Sequence, residues 1–227
     1  MIKNIKIYGE RNSGTNYLTQ LLKQNIKNQI NIYSFFYKSK TGWKHGFPDK
    51  SKYSKHMLKE TLFIFIVRDL EPWLKSMFKN PYHYKRPQDA SQFLMHPLDI
   101  YDERGDHDVN INKREHQKIM DLRYDKIREY KAFYGQINNG IFINLSDVQT
   151  NISKFFQCLN TEYKIPIEKT LQPITKHTKT KKKNINRTYD DIELPLSLIE
   201  PQKNRDLETF IESLKSEYVW KSKLAKV

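Results

Sequence analysis

Apolar positions along this chain recur in two rhythms, and their alternation predicts a mixed architecture. Residues 2–8 are mostly apolar, which predicts a buried strand. Helical spacing follows over 15–27, where Tyr17, Leu18, Leu21, Leu22 and Ile26 share one face. Residues 30–36, apolar and aromatic, predict a second strand. Thr61 to Val67 is an unbroken apolar run rich in β-branched residues, as expected of a central parallel strand covered on both faces. It ends in Arg68-Asp69, and Pro72 suits the first turn of the next helix. A short helix is predicted at 89–95 and a long amphipathic one at 111–135, with Ile119, Leu122, Ile127, Tyr130 and Phe133 inward. Gly140 precedes a strand from Ile141 to Leu145. Ser146 or Asp147 is the expected cap of a helix running to residue 159, and a last helix is expected over 204–216.

Strands alternating with helices predict an α/β fold: a three-layer sandwich whose central parallel sheet is flanked by helices. A chain of 227 residues suits a single domain spanning 1–227. The segment 175–190 departs from the pattern as a basic, apolar-poor loop.

Charge adds a partner class. Lys and Arg outnumber Asp and Glu by 40 to 26, a net +14 that attracts anions of any sort. The same excess fits a Lys-, Asn- and Ile-rich composition with no partner at all. Cys158 is the sole cysteine, so an intramolecular disulfide is excluded and a cysteine-based metal site is not expected. His107 between Asp106 and Asp108 lacks further ligands nearby, so no metal site is expected there. The chain opens on an alternating strand without an apolar leader, and its longest apolar run, Leu62 to Val67, is too short to span a bilayer. A cytoplasmic protein without a membrane span is the expectation.

The candidate chemistry begins after the first strand. Gly9 and Gly14 bracket Glu10-Arg11-Asn12-Ser13 at the spacing of a P-loop, whose backbone N–H groups wrap an anion at a helix N-terminus. A Walker loop would continue with Lys and then Ser or Thr. Thr15 and Asn16 stand there instead, so the lysine for terminal phosphates and the hydroxyl for Mg²⁺ are missing. Lys44-His45 and Arg68 with Ser76 are two further segments placed where an open parallel sheet collects ligands.

In order and spacing these segments resemble the sulfotransferases that use 3′-phosphoadenosine 5′-phosphosulfate (PAPS). Arg11-Asn12-Ser13-Gly14-Thr15-Asn16-Tyr17 corresponds to that family's 5′-phosphosulfate loop. Lys44-His45-Gly46-Phe47-Pro48 loosely matches the segment carrying its catalytic base. Arg68 and Ser76 match the strand-end arginine and the serine eight positions on, which bind the 3′-phosphate. The match covers most of residues 3–80. It implies a P-loop-type fold, PAPS as donor, 3′,5′-adenosine bisphosphate (PAP) as product, and no metal. It implies cofactor binding by Arg11, Asn12, Ser13, Gly14, Thr15, Asn16, Arg68 and Ser76, with Lys183 and Arg187 on a late basic loop over the nucleotide. His45 would be the base, assisted by Lys44 and Arg11, and His83 is the reserve candidate. Asn12 departs from the family's cation before Ser-Gly-Thr, so either Arg11 or Lys44 must supply that charge. Residues 80–110 would form an acceptor-side insertion, for a carbohydrate or small-molecule acceptor bearing a hydroxyl or amine. A degenerate P-loop kinase or NTPase, and a non-catalytic binder of polyanions or nucleic acid, are the competing classes. No RNA-binding module or helix-turn-helix pattern supports the last.

Overall fold

A computed structural model describes residues 1–27, 29–33, 41–82, 84–100, 117–174, 192–199, 201–213 and 222–223. His83, His107, Lys183, Arg187 and the whole basic segment 175–190 lie outside the described residues, as do parts of the elements expected at 30–36, 111–135 and 204–216.

The elements run β1 (Asn4–Gly9), α1 (Thr15–Asn25), β2 (Asn31–Tyr33), α2 (Lys55–Glu60), β3 (Thr61–Val67), α3 (Leu70–Lys79), α4 (Ala90–Met95), α5 (Ile119–Gly135), β4 (Gly140–Asn144), α6 (Leu145–Thr150), α7 (Ile152–Tyr163), α8 (Pro201–Ser213) and β5 (Ser222–Lys223). The sheet order is β2-β1-β3-β4-β5. The first four strands are parallel, and β5 adds a short antiparallel pairing at the β4 edge. The parallel expectation therefore holds for four strands and fails at the last.

Apolar clusters cover both faces of the sheet. One contains Ile5, Ile7, Ile64 and Ile66 with Leu18, Leu21 and Leu22 of α1 and Phe155, Phe156 and Leu159 of α7. The other joins Phe63, Phe65, Val67 and Phe142 to Ile127, Tyr130 and Phe133 of α5 and Leu207 and Ile211 of α8. The unbroken run in β3 thus has a physical origin: all seven of its residues are buried between helical layers. A third cluster, around Trp73, Leu74, Phe93 and Leu122, ties α3 and α4 to α5. Among the described residues, no helix is long and apolar enough to cross a membrane.

The helix expected from Ser146 or Asp147 to residue 159 is two helices. The side chain of Asn144 accepts from the Ser146 N–H at the start of α6, and the chain breaks at Asn151 before α7. Asn144 closes the strand and caps the helix at once, so that Leu145, expected in the strand, begins the helix instead.

Candidate active site

The parallel register aligns Gly9 with Ile66, so the C-terminal ends of β1 and β3 open at one edge of the sheet. The turn from Gly9 to Thr15 sits there, and each glycine is required. A Cβ on Gly9 would lie 2.6 Å from the Ile66 carbonyl oxygen. Gly14 has φ 95°, and a Cβ there would lie 2.6 Å from Leu145 Cδ1. Gly14 is also the N-cap of α1, and no side chain makes a capping hydrogen bond. The first amides of an 11-residue helix are therefore left for other acceptors, with the positive end of its dipole behind them.

Within the turn, the side chains divide the work differently from expectation. Ser13 is fully buried and its hydroxyl donates to the Glu10 carbonyl at 2.7 Å, joined by its own N–H at 3.2 Å. The hydroxyl proton is spent inside the turn rather than turned toward a ligand. Asn12, at φ 60°, aims its amide away from the turn into α3. That amide donates to the Ser76 and Asn80 carbonyls at 3.3 and 3.1 Å and lies 3.0 Å from Met77 Sδ. Asn12 thus clamps the turn to α3 by its side chain, while its own carbonyl accepts from Arg68 Nη1 at 3.2 Å. The guanidinium that ends β3 consequently reaches the turn itself. Ser76 is buried on α3 just behind it.

Arg11 reaches the other side of the turn. Its guanidinium packs 4.6 Å over Trp43 and 5.7 Å from the Tyr84 ring. Its backbone is held by Trp73, whose indole N–H donates to the Arg11 carbonyl at 2.8 Å. Lys44 extends across α1 to donate to Asn16 Oδ1. Of the cationic or basic side chains expected from the sequence, the four among the described residues surround one turn: Arg11, Lys44 and His45 on one flank, Arg68 on the other.

His45 has the geometry of a base. Its Nδ1 is 2.8 Å from the Gly9 carbonyl, and a carbonyl can only accept, so the proton sits on Nδ1 and the Nε2 lone pair is left bare. The ring packs edge-on to Trp43 at 5.0 Å. Loss of solvation, then the charges of Lys44 and Arg11, hold the imidazole well below its ordinary pKa near 6.5, against the Gly9 hydrogen bond. The segment carrying it is pinned to the sheet: Gly9 N–H donates to the Lys44 carbonyl at 2.9 Å, Lys6 Nζ to Gly42 at 2.6 Å, and Tyr53 to Thr41 at 2.8 Å. Burial, followed by Lys52 and Lys44, brings the Lys6 ammonium down to about 7.

Beneath the turn lies a buried ionic layer that periodicity could not find. Arg123 of α5, fully buried, donates to Glu10 Oε2 at 2.8 Å and to the Arg68 carbonyl at 2.7 Å, and reaches Glu208 of α8 at 3.4 Å. It also stacks 4.6 Å over Trp73. One guanidinium thereby ties the β1 turn, the end of β3 and α8 together. Burial raises the Glu10 carboxyl to about 7, opposed chiefly by Arg123 and then Lys126. Lys126, also buried, donates to the His45 carbonyl. Helical periodicity names the apolar residues of α5 as inward and leaves Arg123 and Lys126 unassigned. Their one sequence signal is that they follow the apolar stripe too closely in phase to avoid the core.

Asp69, the nearest candidate for a metal-holding acid, accepts from Asn144 Nδ2 at 2.9 Å and Ser146 Oγ at 3.2 Å. Among the described residues no three His, Cys, Asp or Glu side chains converge as a ligand set. No family model, curated protein or solved structure matches this chain.

Proposed function

We propose that this protein transfers a sulfuryl group from PAPS to a hydroxyl or amine of a carbohydrate or small-molecule acceptor. The observation that carries the proposal is the gathering of His45, Lys44, Arg11 and Arg68 around one glycine-bracketed turn with an uncapped helix N-terminus. An anionic donor with phosphate groups at two ends would complement such a site, and the glycines leave room for it only against the backbone.

In the proposed reaction the acceptor oxygen or nitrogen attacks sulfur in line with the phosphosulfate bridge. The sulfur–oxygen bond to the 5′-phosphate breaks and PAP departs with that electron pair. His45 Nε2 takes the acceptor's proton, a role that needs a neutral imidazole. The amides of Gly14, Thr15 and Asn16 receive the 5′-phosphate, while Lys44 and Arg11 supply positive charge as the bridge breaks. Arg68 and Ser76 hold the 3′-phosphate, and Lys183 and Arg187, which lie outside the described residues, stay assigned to the nucleotide by the resemblance alone. Asn12 takes no direct part, because its amide is committed to α3. A sulfuryl group carries less charge than a terminal phosphoryl, so Lys44 and Arg11 suffice without a metal. A cytoplasmic setting, where PAPS is made available to soluble enzymes, belongs to the same proposal.

Parallel calorimetric titrations with PAP and with Mg-ATP test the reading. The expected result is PAP binding weakened 10- to 100-fold in Arg68→Ala, the usual range for one charge-assisted phosphate contact, about 1.5–3 kcal/mol. Preference for Mg-ATP would move the protein to the kinase class. Salt-dependent binding of nucleic acid with neither nucleotide bound would make it a polyanion binder.

A further inference from the structure

The β1–β3 ladder ends at the pair Gly9–Ile66, short of both Glu10 and Arg68. Beyond that pair, sheet register no longer sets the distance between the turn and the arginine that follows β3. Arg123 of α5 stands where the ladder stops. Its side chain is fully buried, with Nη1 donating to Glu10 Oε2 at 2.8 Å and Nη2 to the Arg68 carbonyl at 2.7 Å. Its guanidinium lies 4.6 Å over the Trp73 ring, whose indole N–H holds the Arg11 carbonyl at 2.8 Å. Both of the short bonds come from one planar group, so a rigid fork sets the separation of Glu10 and Arg68. Arginine is charged at any working pH, and a carboxyl offers an acceptor oxygen with or without its proton, so the fork stands on geometry. A second tie joins the same arms, Arg68 Nη1 to the Asn12 carbonyl at 3.2 Å, but it draws on the guanidinium that would meet a ligand. Arg123 draws on none of the proposed ligand groups. A buried ion pair adds little net stability over apolar residues of equal volume, so its use is read from what it joins.

We propose that Arg123 is a positioning residue for the nucleotide: it fixes the span between the turn that takes the 5′-phosphate and the arginine that takes the 3′-phosphate. The role rests on the sulfuryl-transfer reading proposed above. A ligand with an anion at each end gains from a preset span, because seating one end delivers the other to its site at high effective concentration. A ligand with a single anion gains nothing from it. An arginine that served only to hold the fold would affect both kinds of ligand alike.

The test titrates wild type, Arg123→Lys, Arg68→Ala and the variant with both changes against PAP, adenosine 5′-monophosphate and adenosine 3′-monophosphate by calorimetry. Lysine keeps the buried positive charge but, as a point charge, cannot span Glu10 and the Arg68 carbonyl as a planar fork does. PAP is expected to bind Arg123→Lys about tenfold more weakly, with both monophosphates within about twofold of wild type. In the Arg68→Ala background the far phosphate has lost its partner, so adding Arg123→Lys should change PAP binding by no more than about twofold. Equal weakening of all three nucleotides, unchanged PAP binding in folded Arg123→Lys, or the same loss with and without Arg68 overturns the proposal. Should Arg123→Lys not fold, Arg123→Met paired with Glu10→Gln, which removes the buried acid as well, carries the same titrations with the same outcomes. Wild type that fails to bind PAP would instead count against the sulfuryl-transfer reading, whatever Arg123 does.

Discussion

Replacing Arg123 by methionine isolates the ionic layer under the turn. The change removes the 2.8 Å bond to Glu10, the 2.7 Å bond to the Arg68 carbonyl and the contact over Trp73, while keeping an unbranched apolar stem. Glu10 is 1 % exposed and its Oε1 already lacks a hydrogen-bond partner, so the carboxylate would be stranded. Breaking a buried pair from one side costs about 3–5 kcal/mol. The cost depends on pH in a direction fixed by Glu10, whose carboxyl is raised from 4.5 to about 7. A raised acid binds more protons folded than unfolded, so its contribution is fullest below 4.5 and is lost as pH rises through 7. At about 1.4 kcal/mol per pH unit, that loss is roughly 3 kcal/mol in wild type. Without Arg123 the carboxyl keeps its proton to still higher pH. Between pH 5 and pH 8 the penalty of the variant should then grow, on the order of 1 kcal/mol for each pH unit over which the proton is retained above 7. Urea denaturation of wild type, Arg123→Met and the double variant with Glu10→Gln, at both pH values, reads this directly. The double variant should recover much of the loss at pH 8. A penalty equal at the two pH values, or a double variant no more stable than Arg123→Met, would refute the reasoning.

Other consequences follow from the turn. Gly14→Ala must take φ 95° and push Leu145 aside from 2.6 Å, so a loss of about 2 kcal/mol is expected, roughly 4–8 °C in Tm for a domain of this size. A calorimetric Tm within a degree of wild type would contradict the tight approach. Asn12→Lys puts back the cation that the resembling family carries before Ser-Gly-Thr, yet here it forfeits the bonds to Ser76 and Asn80 at a left-handed position. It should cost about 1–3 kcal/mol and bring no gain in PAP affinity; a stable, tighter-binding variant would show that the amide's grip on α3 is dispensable. Lys6→Met should flatten the rise of stability between pH 7 and pH 10, because an ammonium lowered to about 7 contributes above its unfolded pKa and loses that contribution as pH falls. Denaturation midpoints across that range check it, and an unchanged slope would argue against Lys6 as a titrating group.

The parts of this molecule that follow from local rules were legible in its sequence. The continuous run of β3, the alternation of strands with helices, and the glycine-bracketed turn before α1 each express a short-range constraint. Arg68 was placed by its position at the end of β3, which the register with β1 brings beside the turn, and His45 by its order in the resemblance, the hydrogen bond to the Gly9 carbonyl being what brings it there. What escaped depends on partners far along the chain. Glu10 meets Arg123 across 113 residues, and neither residue announces burial by its type. Periodicity picked out the apolar positions of α5 and had nothing to say about Arg123, Asp125 and Lys126, all three of which are buried. Ser13 and Asn12 look like ligand-facing donors, and only the folded turn reveals that the first closes the turn and the second fastens it to α3. The early start of α6 was hidden because Asn144 reads equally as the end of a strand, and the break before α7 because Asn151 does not by its type mark a helix end.

The central claim is that one nucleotide lies against the turn after β1 and the arginine ending β3 together. An ¹⁵N-labelled sample titrated with PAP tests it most directly. The account predicts concerted, saturable shifts of the Gly14, Thr15 and Asn16 amides and of the Arg68 side-chain Nε, with one common dissociation constant. Shifts confined to another surface, or saturation at the turn without any response from Arg68, would contradict it.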